Sequence, residues 1–160
     1  MILRDSPSFR WLSVLFWFLI MILPMANWLS ALRPFFLALV LIFWILETPQ
    51  KIGLGRVFCI GLVLDIFSFT VLGEHALRLL IICGVVHQFR NQFRFYQLWQ
   101  QSVLIMILLY FDQLVLWFIR YLQGMSVPVI ETLASPFIAF LIWPWLYIVL
   151  DNWRLQIRTQ

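Results

Sequence analysis

The chain has 160 residues, 64% of them hydrophobic and 18% aromatic, with only 11% charged and a mean hydropathy of +0.96. A soluble domain covers its surface with about 25% charged residues, so eleven basic and seven acidic side chains cannot clothe a water-facing globule of this size. The same apolar content excludes disorder. The composition implies an integral membrane protein with almost no extramembrane domain. Net charge is +4, and ten of the eleven basic residues are arginine. In a soluble chain that balance would suggest nucleic acid; here membrane topology accounts for most of it, and no nucleic-acid partner is expected.

A membrane span needs about 20 mainly apolar residues. The first candidate, 11–29, follows Arg4 and Arg10 as a signal peptide would follow its positive start. Pro24-Met25-Ala26-Asn27 is nevertheless a poor cleavage site, so the segment is expected to remain as a first span. The second, 33–47, opens at Arg33-Pro34, where proline suits a helix start. It ends at Glu47-Thr48-Pro49-Gln50-Lys51, and both Arg33 and Glu47 are expected to be solvated. The third, 54–72, carries Asp65. The fourth, 75–89, is the weakest, because Arg78 and His87 flank a short apolar core. The fifth, 98–120, carries Asp112. The sixth, 132–150, holds Trp143-Pro144-Trp145, so a kink is expected at Pro144, as at Pro24.

Backbone groups in lipid must be satisfied internally, so these spans are helices. Alternating ten-residue strands are absent, which excludes a β-barrel. With six spans and both termini cytoplasmic, eight basic residues (Arg4, Arg10, Lys51, Arg56, Arg90, Arg94, Arg154, Arg158) lie inside and three (Arg33, Arg78, Arg120) outside. If the fourth segment does not cross, the balance becomes five against six, so the positive-inside rule selects six spans. Trp11, Trp28, Trp99, Trp143, Trp145 and Trp153 sit near span ends, where interfacial rings are favoured. Cys59 and Cys83 lie in apolar runs and read as small buried packing residues. No repeat or linker divides the chain, so residues 1–160 form a single transmembrane domain, an all-α six-helix bundle.

Chemistry is sparse. There is no phosphate-binding loop, no HExxH and no Cys/His spacing for zinc, so no catalytic, metal-binding or cofactor-binding residue is expected. His75 and His87 fall at opposite ends of one short helix. The exceptional residues are Asp65 and Asp112, since an ionised carboxylate at the bilayer centre costs about 2.5–3.5 kcal/mol. By depth, Arg78 is a plausible counter-ion for either, giving a buried polar cluster of Asp65, Arg78 and Asp112. Such a cluster either fixes helix packing or serves a small-solute transport or proton site. Asp65→Asn separates the two readings, because packing alone should tolerate the amide. An intramembrane aspartyl protease is disfavoured, since Gly61-Leu-Val-Leu-Asp65 lacks that family's glycine-x-glycine-Asp motif.

The stretch from His87 to Gln101 interleaves arginine with aromatics. Beside two spans it reads as an interfacial segment, with Arg90 and Arg94 at anionic headgroups and Phe89, Phe93 and Phe95 dipping into the acyl boundary. The same surface, with Trp99, is able to dock a cytoplasmic partner.

Taken in order, several short motifs resemble the MreD family of rod shape-determining membrane proteins. They are Arg33-Pro34, Phe43-Trp44-Ile45-Leu46 with Pro49, Gly61-Leu62-Val63-Leu64-Asp65, Leu72-Gly73, the polar-aromatic segment through Trp99-Gln100-Gln101, and Trp143-Pro144-Trp145. Order and spacing along the whole chain carry the resemblance. It implies a non-enzymatic component of the bacterial inner membrane that maintains rod shape and supports lateral peptidoglycan synthesis. The implied partners are a bitopic MreC-type protein, the actin-like MreB, RodA and its penicillin-binding transpeptidase, besides membrane lipid. The partner's single span would pack against the fifth or the last helix. The fold it implies is similar to the substrate-binding subunits of energy-coupling-factor transporters. Where many relatives place Ser-Gly after the aspartate, this chain has Phe67-Ser68-Phe69-Thr70, which leaves a glycine-dependent helix contact there without its glycine.

Overall fold

The computed structural model describes residues 7–22, 35–48, 50–122, 124 and 129–158, and its regular structure is entirely helical. In chain order come α1 (Pro7–Ile22), α2 (Phe36–Glu47), α3 (Leu54–Ser68), α4 (Glu74–Phe95), α5 (Leu98–Leu122) and α6 (Val129–Arg158). Among the described residues, Leu98–Leu122 and Ala134–Leu155 are each long and apolar enough to cross a bilayer. Arg10–Met21 and Phe36–Glu47 are shorter apolar helices. Arg4, Pro24, Trp28, Arg33, Pro34 and Pro49, which the sequence singles out, lie outside the described residues.

The middle of the bundle is α2. From Phe36 to Leu46 it carries no polar side chain, and residues 37–46 are all buried. A helix apolar on every side has to be enclosed on every side, and α2 is packed by α1, α4 and α6. Around it, α3 lies closest to α4, and α5 to α6. The α3–α4 approach depends on Gly61, where a Cβ would stand 2.3 Å from the Ala76 Cα. Small residues let two backbones come this close, which is how helices attract one another in lipid. The tight glycine contact is therefore made one turn before Asp65 and not after it.

Helices consecutive in the chain alternate in direction, so α2, α4 and α6 run the same way, and end-to-end contacts record it. Trp44 Nε1 donates to Ser13 Oγ at 2.9 Å, joining the end of α2 to the start of α1. Glu47 meets Arg154, joining the ends of α2 and α6. Gln101 Nε2 donates to the Phe93 and Tyr96 carbonyls at 3.1 Å each, closing the end of α4 against the start of α5. These contacts gather Arg10, Arg90 and Arg154 with Lys51 of the α2–α3 connection and Arg56 of the first turn of α3 at one end of the bundle. We call it the basic end.

Several sequence expectations change. The weak fourth segment is a helix of 22 residues, because no glycine or proline interrupts 85–95. Phe93 does not dip into lipid; it is buried in the protein core beneath Gln101. Trp143 is not interfacial either, lying fully buried midway along α6, with Trp145 exposed beside it. Arg10 is buried, its guanidinium 6.0 Å from the Trp44 ring. Cys83 is buried, whereas Cys59 is exposed. α6 runs on as one helix through Pro136 and Pro144.

Candidate functional site

The buried charges Asp65, Arg78 and Asp112 gather at the head of α4. The end of α3 explains how. Phe69 adopts the left-handed conformation (φ 52°), and Thr70 N donates to the Asp65 carbonyl at 3.3 Å. This is a Schellman closure, whose left-handed position is ordinarily glycine. The reversal brings residues 73–76 back over the Asp65 side chain.

Asp65 then receives five donors. Its Oδ1 accepts from His75 N and His75 Nδ1, each at 2.8 Å, and from Thr70 Oγ1 at 3.2 Å. Its Oδ2 accepts from Gly73 N at 2.8 Å and from Ala76 N at 3.4 Å. The first N–H groups of a helix have no intrahelical acceptor and carry the positive end of its dipole. A carboxylate from α3 thus caps the N-terminus of α4. Because a carboxylate only accepts, His75 presents Nδ1 as its donor nitrogen.

One turn further along α4, Arg78 forms a two-pronged pair with Asp112 of α5. Nε donates to Oδ1 at 2.9 Å and Nη2 to Oδ2 at 2.6 Å. Both side chains are buried, and this fork geometry is the strongest form of the pair. The Phe35 ring bridges the two sites. It lies 4.9 Å from the Arg78 guanidinium carbon and 5.9 Å edge-on from the His75 ring. Of the two carboxylates considered for Arg78, Asp112 takes it and Asp65 does not. The reason is local: Asp65 is already saturated by the helix start that precedes Arg78. His75 is the residue that sequence reasoning missed, and an aspartate eight residues before a Gly-Glu-His helix start was the available signal.

A second polar cluster was also missed. Glu47 is not solvated; it accepts from Tyr147 Oη at 3.0 Å and pairs with Arg154, which also lies 3.8 Å from Asp151. In the polar-aromatic segment, Arg94, Phe95 and Trp99 are exposed and Arg90 is half-buried, while Phe93 turns inward. No group of three or more His, Cys, Asp or Glu suited to a metal occurs among the described residues. The solute-site reading gains nothing from this geometry, since protein donors occupy both oxygens of Asp65 and of Asp112.

Fold and site together define an all-helical membrane bundle whose buried carboxylates are spent on a basic partner and on a helix start. Two comparisons name the class more closely. The family model for the rod shape-determining protein MreD matches residues 5–152. The rod shape-determining protein MreD of Haemophilus influenzae is 27% identical over 153 residues, covering 93% of this chain and 94% of its own length. The chain belongs to the MreD family, a membrane protein family with a role in cell shape. No solved structure matches it.

Proposed function

We propose that this protein is a non-enzymatic component of the bacterial rod complex, crossing the inner membrane six times with both termini in the cytoplasm. In that role it binds a bitopic MreC-type partner and supports lateral peptidoglycan synthesis alongside MreB, RodA and its transpeptidase. The observation that carries this reading is the saturation of Asp65 and Asp112 by His75, Arg78 and backbone donors. Groups so occupied hold helices together and offer nothing to a substrate. Clustering of the basic residues at one end of the bundle supports the orientation.

The partner's single span has a fitting place beside the last helix. An apolar furrow of about 630 Å³ runs between α1 and α6, bordered by Leu12, Phe16, Trp17, Trp145, Val149 and Trp153. Association there would rest on van der Waals contact, as between helices generally in lipid. The test is cell width in a rod-shaped host depleted of the protein. Wild type and the Arg78→Met/Asp112→Leu double variant are supplied back separately. Rods restored by both support a scaffold. Rods restored by wild type alone, with the double variant present at normal level, make the charges functional and refute it. Depleted cells that stay rod-shaped refute the shape role.

A further inference from the structure

A second furrow lies on the other side of α1, between it and α3. It measures about 750 Å³ and is walled by Trp11, Leu12, Leu15 and Phe18 of α1 and by Cys59 and Val63 of α3. It is an open groove along the two helices and not a closed cavity. The furrow exists because α1 packs chiefly on α2 and touches α3 only slightly. Its floor at the basic end is open, since Gly55 has no neighbouring atom within 4 Å of where a Cβ would be. At that end the lining changes character: Arg56 borders the furrow and is exposed. Its guanidinium donates to the Lys51 carbonyl, which ties it to the connection carrying a second exposed cation.

We propose that this furrow is a binding site for an anionic phospholipid, with an acyl chain along α1 and α3 and the headgroup phosphate at Arg56 and Lys51. Apolar walls ending in a cationic rim complement that amphiphile, and basic pockets between membrane helices select acidic headgroups. A zwitterionic lipid would fill the walls equally well but gain less from the rim. A partner's membrane helix would also fill the walls, and it is the cationic rim that favours an acidic amphiphile. The inference rests on the membrane reading above but not on the rod-complex role, so the two fail separately.

Cys59 supplies the reporter, being exposed in the furrow while Cys83 is buried. The purified full chain in detergent is titrated with phosphatidylglycerol or phosphatidylcholine, and the rate of maleimide alkylation at Cys59 is followed, with Cys59→Ser as background. Phosphatidylglycerol should slow alkylation at concentrations where phosphatidylcholine does little. Arg56→Gln should shift its half-protection point about five-fold upward, one guanidinium's contribution at a membrane surface. Lys51→Gln, lying outside any helix, should shift it in the same direction and guards against misfolding of the first variant. Equal protection by both lipids, or no protection, overturns the proposal. So does protection by phosphatidylglycerol that both substitutions leave unchanged.

Discussion

Asp65→Asn is the most informative single change, because the structure reverses what volume alone suggests. Asparagine matches aspartate in shape but keeps only one accepting oxygen and replaces the other with a donor. All five partners of Asp65 act as donors. The least costly orientation keeps the amide oxygen at the Oδ1 position, with His75 and Thr70. The NH₂ then faces the N–H groups of Gly73 and Ala76, donor against donor. That forfeits one short charge-assisted bond, about 1.5–3 kcal/mol. It also removes the negative charge from the α4 N-terminus, about 0.3–1 kcal/mol more. A loss of about 3 kcal/mol follows, on the order of a hundred-fold in the folded-to-unfolded ratio.

The assay is the folded fraction of purified protein across a sodium dodecyl sulfate titration, paired with cell width under complementation. The Asn variant should unfold earlier, and cells should round only as far as its membrane level falls. An Asn variant as stable as wild type would refute the capping account. Rounding at full protein level would show that the carboxylate does more than cap.

Other substitutions test the remaining contacts. Asp112→Ala alone should cost about 3–5 kcal/mol by leaving Arg78 buried without its counter-charge, whereas Arg78→Met with Asp112→Leu should come close to wild-type stability; the same detergent titration reads both. Gly61→Val should separate α3 from α4 and lower stability by more than about 2 kcal/mol, because its Cβ meets backbone and not a movable side chain. Phe69→Gly should raise stability by about 1 kcal/mol, since the left-handed position costs a side-chain-bearing residue about that much. A Phe69→Gly protein that melts lower would mean the exposed ring contributes more through lipid contact than the turn loses.

What the sequence made legible was whatever depends on composition and depth. The unbroken apolar run of α2 announces a helix, though not that it is the enclosed one, and depth alone brings Arg78 near both Asp65 and Asp112 without choosing between them. The Asp65–His75 contact escapes such bookkeeping because it depends on how the chain reverses at Phe69, a left-handed turn that phenylalanine does not advertise. Glu47 was misjudged for a related reason. Its place at a span end suggests water, but Tyr147 and Arg154 come from a helix a hundred residues later. Trp143 and Phe93 show the converse failure. An aromatic near polar residues reads as interfacial, and only packing reveals which face of the helix it occupies.

The polar contacts share a geometry that composition would not suggest. α2 is smooth, apolar all round, and held laterally by dispersion forces that specify neither rotation nor depth. At its N-terminal end, Phe35 lies against both Arg78 and His75. At its C-terminal end, Glu47 is held by Tyr147 and Arg154, and Trp44 by Ser13. Among the described residues, polar groups thus meet both ends of this apolar helix. Buried polar contacts serve best as devices of register, which explains why a chain with so few charges keeps them inside the bundle. A solute carrier would need those groups to exchange partners during transport. Here protein donors already hold both oxygens of Asp65 and of Asp112, and the arrangement fits a rigid bundle.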